Sequence, residues 1–159
     1  MKTLYIMRHA QKDESNPEQY DYDVELTQKG LEDSQTIAQI LKDDNIKPDL
    51  IVSSPSIRTR QTAEIVSKIL KYRKNIMYNE VIYQAFVNEL IESITYTFDT
   101  VDSLLIIGHN PALTALALTL TEFREEIQMG CVVKIEFDCI SWTAVDKNNA
   151  KFIKQYKLD

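Results

Sequence analysis

The sequence predicts an α/β fold, a three-layer α/β/α sandwich whose sheet is mostly parallel with antiparallel strands at its C-terminal end. Short runs of strand-forming residues alternate with helix-like stretches from the N-terminus to about residue 120. The run Ser103–Ile107 is apolar almost throughout, as expected of a central parallel strand covered on both faces. After Gly130 the apolar residues recur with a period of two, which predicts antiparallel strands.

Four strand-and-helix units make up the predicted parallel part. Its strands are expected at residues 3–7, 49–53, 76–78 and 103–107. Its helices are expected at residues 27–43, 54–70, 85–98 and 112–120. Thr27 is a suitable N-cap for the first helix, and Ser54 for the second, with Pro55 at the first helical position. The polar segment 11–25 predicts a loop over the C-terminal edge of the sheet.

The region after Gly130 predicts strands at residues 132–137, 141–145 and 151–156, with a turn at 146–149. The chain contains three glycines, Gly30, Gly108 and Gly130, and no Gly-rich phosphate loop. Both the Walker A motif and the dinucleotide-binding fingerprint are therefore excluded.

Length and charge narrow the class of protein. A chain of 159 residues is expected to form a single domain over 1–159. Its 18 Lys and Arg against 24 Asp and Glu give a net charge of −6, which argues against a nucleic-acid partner or an anionic membrane. The absence of a long apolar run or a signal peptide predicts a cytoplasmic location. The two Cys and two His lack close spacing, so no metal site is expected.

The residues suited to chemistry fall at three strand-to-helix junctions. Arg8 and His9 follow the first strand, Arg58 follows the second, and His109 follows the fourth. Each one alone has an ordinary explanation, such as a surface ion pair or a turn. In a parallel sheet, however, all three junctions lie at the same edge, where two helix N-termini also direct free N–H groups. Together they predict an anion site in an acidic protein.

The sequence resembles the histidine phosphatase (phosphoglycerate mutase-like) superfamily, most closely its short phosphohistidine phosphatase branch, which is SixA-like. The matching stretches, in order, are residues 4–10 (LYIMRHA), 26–30 (LTQKG), 53–63 (SSPSIRTRQTA) and 107–111 (IGHNP). The resemblance implies a phosphoglycerate mutase-like fold and a covalent mechanism without metal or other cofactor. His9 would be the nucleophile and form a phosphohistidine, while Arg8, Arg58 and His109 would bind the phosphoryl oxygens.

The chain departs from larger family members at their acidic proton donor. The corresponding stretch here is residues 79–85 (NEVIYQA), in which Tyr83 lies nearest to that position and Glu80 is the one carboxylate. Glu80 is therefore a candidate general acid, although a solvated strand-end glutamate is the simpler interpretation. A phosphorylated imidazole can already carry the proton that it needs in order to leave. The lack of a strong general-acid candidate in the protein therefore favours phosphohistidine as the substrate.

These considerations lead to one expected function and two alternatives. The first is a phosphatase for phosphohistidine on a protein, of the phosphocarrier or histidine-phosphotransfer type, with inorganic phosphate as product. The second is a phosphatase for a small phosphate ester or anhydride. The third is a phosphate-binding module with weak catalysis, against which the intact set of Arg8, His9, Arg58 and His109 argues.

Overall fold

The first apolar run forms a strand in the interior of a six-stranded sheet. The computed structural model describes residues 1–159, and its strand order is β3-β2-β4-β1-β5-β6. The strands, in chain order, are β1 (Lys2–Arg8), β2 (Leu50–Ser53), β3 (Met77–Tyr78), β4 (Ser103–Gly108), β5 (Val132–Phe137) and β6 (Ala150–Tyr156). The first four are mutually parallel, whereas β5 and β6 are antiparallel to their neighbours. The predicted fold class is confirmed.

Helices cover both faces of the sheet. They are α1 (Gln28–Asp43), α2 (Ile57–Ile69), α3 (Val87–Thr95) and α4 (Ala112–Leu120). Apolar residues of α1 and α2 join one core cluster with alternate residues of the strands, and those of α3 and α4 join a second cluster. β4 contributes to both clusters, as its almost wholly apolar sequence predicts. No helix is both long enough and apolar enough to cross a membrane.

The start of α2 differs from the prediction by two residues. Ser56, not Ser54, occupies the N-cap position, and the helix begins at Ile57. Pro55 disfavours a helical backbone in the residue before it. Ser54 therefore continues the sheet, and its N–H donates to the carbonyl of Ile107 at 2.9 Å. By contrast, the Thr27 side chain caps α1 as predicted, accepting the N–H of Gly30 at 2.9 Å.

The strand predicted at 141–145 is wrong. Residues Trp142–Ala144 form a single 3₁₀ turn, and the chain reaches β6 only at Ala150. The buried residues here are Trp142 and Val145, which lie three positions apart and match the 3₁₀ period. The indole N–H of Trp142 donates to the carbonyl of Val101 at 2.6 Å, which fixes the turn against the core.

Candidate active site

The register of β1 and β4 brings the two histidines of the chain together. Arg8 at the end of β1 lies opposite Gly108 at the end of the parallel strand β4. The next residues, His9 and His109, leave their strands side by side, and their ring centroids are 5.3 Å apart. The N–H of His9 donates to the carbonyl of Gly108 at 3.2 Å and prolongs the ladder by one bond.

Arg58 reaches this pair from the first turn of α2. Its side chain is 4% exposed, and its Nε–H donates to Nε2 of His9 at 3.3 Å. Its Nη2 also lies 3.5 Å from Nδ1 of His109. A cation in the first turn opposes the helix dipole, so the position of Arg58 is explained by what it binds and not by helix stability.

The imidazole of His9 has one nitrogen fixed by the backbone and the other directed at Arg58. Nδ1 lies 2.6 Å from the carbonyl oxygen of Ala10, which can only accept, so Nδ1 carries the proton. Burial lowers the pKa of His9 to about 4; the charges of Arg58 and Arg8 act in the same direction, and the hydrogen bond to Ala10 opposes them. His9 is therefore neutral at pH 7, and the electron pair on its Nε2 accepts the Nε–H of Arg58.

His109 is held from behind by a buried serine. Its Nε2 lies 2.7 Å from Oγ of Ser54, which is itself fully buried. Burial, together with the neighbouring His9 and Arg58, lowers the pKa of His109 to about 3. The ring of Tyr83 packs edge-on against that of His109 with centroids 5.5 Å apart. His109 is thus a second neutral imidazole, with Nδ1 on the side of Arg58.

Arg8 contains a buried donor without a partner. Its Nη1 donates to the carbonyl of Ile127 at 3.2 Å and lies 3.8 Å from the carboxylate of Glu126. Its Nε makes no hydrogen bond, and it is the one buried side-chain polar atom in the chain that lacks a partner. Such atoms are rare in folded proteins because leaving them unpaired is costly, so this N–H is available to an oxygen of a ligand.

Asp21 is a member of the site that the sequence did not single out. It begins a 3₁₀ turn, Asp21–Asp23, in the loop between β1 and α1. Its carboxylate accepts hydrogen bonds from Nη2 of Arg58 at 2.9 Å and from the hydroxyl of Tyr83 at 2.7 Å. Its backbone carbonyl accepts from Nη1 of Arg58 at 2.6 Å. The polarity of segment 11–25 predicted a loop over this edge, but nothing in it distinguished Asp21 from the other acidic residues.

The four predicted residues Arg8, His9, Arg58 and His109 line one cavity of about 430 Å³. The remaining lining residues include Lys12, Asp21, Tyr83 and Phe86. The side chain of Glu80 does not line this cavity; it is exposed, and its carboxylate lies 3.5 Å from the hydroxyl of Tyr22. No three His, Cys, Asp or Glu side chains are close enough together to hold a metal ion.

Comparison with known proteins finds a family model that matches the N-terminal part of the chain. Residues 4–81 match the model of the histidine phosphatase superfamily (branch 1). This range contains most of β1, the loop that carries Asp21, and the start of α2 with Arg58, but it ends before His109. No curated protein sequence matches the chain.

Solved structures share the fold over nearly the whole chain. The protein histidine phosphatase SixA, complexed with tungstate, is 21% identical with a TM-score of 0.83, and the match covers 98% of this chain and 97% of that one. A mycobacterial glucosyl-3-phosphoglycerate phosphatase with inorganic phosphate is 13% identical with a TM-score of 0.71, covering 99% and 98%. The α-ribazole phosphatase of Shigella flexneri is 15% identical with a TM-score of 0.68, covering 98% and 96%. These likenesses establish the fold.

Proposed function

Because residues 4–81 match the model of the histidine phosphatase superfamily, we propose that the chain is a phosphatase that forms a phosphohistidine on His9 and acts on phosphohistidine carried by another protein. The observation that carries the proposal is the state of His9. The carbonyl of Ala10, 2.6 Å from Nδ1, fixes the tautomer, so the unprotonated Nε2 is the nitrogen directed at Arg58. A neutral imidazole oriented in this way is a nucleophile that needs no separate base.

In the proposed first step, Nε2 of His9 attacks phosphorus as the bond to the leaving group breaks. His9 keeps its proton on Nδ1, so the product is a phosphoimidazolium paired with Ala10. The negative charge on the phosphoryl oxygens is bound by Arg58 and by the unpartnered Nε–H of Arg8. Two arginines suit this task because phosphoryl transfer spreads charge over three oxygens.

The distribution of carboxylates supports a phosphoramidate substrate. An alkoxide leaving group needs a proton from the enzyme, but Glu80 lies outside the cavity. Hydrogen bonds to Asp21 keep the pKa of that carboxyl below its usual value, so it is not a proton donor at neutral pH. A phosphorylated imidazole whose distal nitrogen is protonated leaves as a neutral ring without such a donor. The rim is also open, since Phe86 is 75% exposed, which suits a phosphoryl group carried on a protein.

The test compares substrates and removes the nucleophile. A phosphorylated histidine-containing carrier should be turned over faster than a simple aryl phosphate, and His9→Ala should abolish turnover of both. The reaction is proposed to need no metal, so a chelator should leave the rate unchanged. Circular dichroism should show that the variant is folded, because His9 is buried.

The covalent intermediate can be detected directly. The enzyme is mixed with radiolabelled substrate and denatured in alkaline detergent, since phosphohistidine is labile in acid. Label on the wild type and none on His9→Ala is the expected result. If His9→Ala kept most of the rate, His9 would not be the nucleophile. A wild type that bound phosphate but never became labelled would instead be a binding module.

A further inference from the structure

Asp21 is the only carboxylate that lines the cavity of His9, Arg58 and His109. Besides its bonds to Arg58 and Tyr83, its carboxylate lies 3.8 Å from Nζ of Lys12. It is about half exposed, so water reaches it from the mouth of the cavity. Any proton exchanged between this cavity and a carboxylate side chain of the protein must therefore pass through Asp21.

The surroundings keep Asp21 ionised. Partial burial raises the pKa of its carboxyl, but hydrogen bonds from Arg58 and Tyr83 and the charges of Arg58 and Lys12 outweigh this effect and lower it. At neutral pH the group therefore accepts protons and does not donate them. It fits the step of a phosphatase that consumes water, because a hydrolytic water must lose a proton as it attacks.

Arg58 connects this carboxylate to the nucleophile. The guanidinium contacts Nε2 of His9 at 3.3 Å through Nε and the carboxylate of Asp21 at 2.9 Å through Nη2. A phosphoryl group on Nε2 and the carboxylate of Asp21 would thus both be neighbours of one planar cation. A water bound between them would contact both the phosphorus and a base.

We propose that Asp21 is the general base that removes a proton from the water hydrolysing the phosphohistidine on His9. This inference rests on the proposed function. The water oxygen forms a bond to phosphorus, the P–Nε2 bond breaks, and its electron pair returns to the ring of His9. The proton goes to the carboxylate of Asp21 and then to solvent, and inorganic phosphate leaves. His9 is restored as the neutral Nδ1–H tautomer.

The other titratable groups at the site suit this step less well. Nε2 of His109 is engaged by Ser54, and its Nδ1 lies 3.5 Å from Nη2 of Arg58, so neither ring nitrogen is placed to take a proton from water. Glu126 contacts Arg8 at 3.8 Å but does not line the cavity. Tyr83 donates its proton to Asp21, and its pKa is raised to about 12 by burial and by that bond.

The experiment separates the two half-reactions in Asp21→Asn. The amide oxygen still accepts from Arg58 and Tyr83, but it takes no proton from water. Labelling of His9 should proceed within a fewfold of the wild-type rate. Hydrolysis of the labelled enzyme should slow by about a hundredfold or more, which is the usual contribution of a general base, so phosphoenzyme should accumulate. In the wild type, hydrolysis should slow as acid protonates Asp21, and the variant should lack this pH dependence.

A matched control lies in the same 3₁₀ turn. Asp23→Asn makes the same chemical change at an exposed residue that does not line the cavity, and it should alter neither rate. Equal slowing of labelling and hydrolysis in Asp21→Asn would mean that Asp21 only orients Arg58, which overturns the proposal, as would no slowing at all. Failure of the wild type to become labelled would instead refute the phosphohistidine mechanism itself.

Discussion

Ser54 illustrates how one buried hydroxyl can set the role of a catalytic candidate. Its Oγ lies 2.7 Å from Nε2 of His109 and also accepts the N–H of Ser56 at 3.4 Å. Nδ1 of His109 is left on the side of the cavity, 3.5 Å from Nη2 of Arg58. We therefore expect Ser54 to orient the ring of His109 for its contact with a phosphoryl oxygen.

Ser54→Ala should weaken phosphate binding about tenfold, because it leaves a buried nitrogen unpaired at a cost of about 1.4 kcal/mol. The measurement is the inhibition constant of inorganic phosphate together with KM. Ser34→Ala is the matched control, since Ser34 is equally buried but bonds to the carbonyl of Gly30 in α1. Unchanged phosphate binding in Ser54→Ala would show that the hydroxyl does not orient His109.

The sequence predicted those site residues whose position at the end of a strand fixes their place in the fold. Arg8, His9 and His109 directly follow apolar strands, and Arg58 follows a Ser-Pro junction, so topology alone places them at one edge. The sequence predicted Ser54 as a helix cap. Its contact with His109 arises because α2 begins two residues later than predicted. Asp21 lies in a loop whose path is fixed by Arg58 and Tyr83, and a distant partner of this kind leaves no local pattern.

At the scale of elements, the turn before β5 fixes the backbone on which His9 sits. The N–H of Gly130 donates to the carbonyls of both Arg8 and His9, at 3.1 and 2.9 Å. Gly130 has a φ of 78°, in the left-handed region that side chains other than glycine rarely adopt. The turn thus depends on glycine to hold the end of β1 in place.

Gly130→Ala should reduce the free energy of unfolding by about 1–2 kcal/mol and should also lower turnover, because relief of the strain shifts the backbone at His9. Gly130→Asn is the comparison, since asparagine tolerates the left-handed region better. A Cβ at this position lies 3.2 Å from Cδ1 of Leu158 in either variant, so the contact is shared and the difference isolates the backbone. Urea denaturation and steady-state kinetics measure both effects. Equal losses for Ala and Asn would refute the backbone explanation.

The same scale shows why the elements of the sheet were largely predictable and the segment 141–145 was not. β4 is recognisable because its apolar run matches burial on both faces, and β5 because its alternating pattern matches burial on one face. Trp142 and Val145 are both buried and lie three positions apart. Together with the neighbouring residues, however, they form a short run that also fits a strand. The long-range bond from Trp142 to Val101 decides between the two structures, and a local sequence pattern does not contain it.

At the scale of the whole molecule, cations are concentrated at one edge of an acidic chain. The net charge is −6, yet Arg8, Lys12 and Arg58 line the cavity against the single carboxylate of Asp21. The two histidines remain uncharged because burial disfavours a protonated ring, and the neighbouring cations add to this effect. The stability of the fold is therefore linked to pH through the same residues that are proposed to carry the reaction.

This linkage predicts loss of stability in mild acid. In the unfolded chain a histidine titrates near pH 6.5, whereas in the folded protein the pKa of His9 is about 4 and that of His109 about 3. Between these values the unfolded state binds protons that the folded state does not, so the free energy of unfolding falls as pH falls. His9 alone should contribute a loss of about 2 kcal/mol between pH 7 and pH 5, and His109 adds to it in the same direction.

Urea denaturation at pH 7, 6 and 5 measures the effect in the wild type and in His109→Gln. The variant should lose less stability than the wild type over this range, because one of the two buried neutral rings is gone. Asp21 does not confuse the comparison, since its lowered pKa places its own stability loss at more acidic pH. If both proteins lost stability equally between pH 7 and pH 5, His109 would not be held neutral by the fold, and the electrostatic description of the site would be wrong.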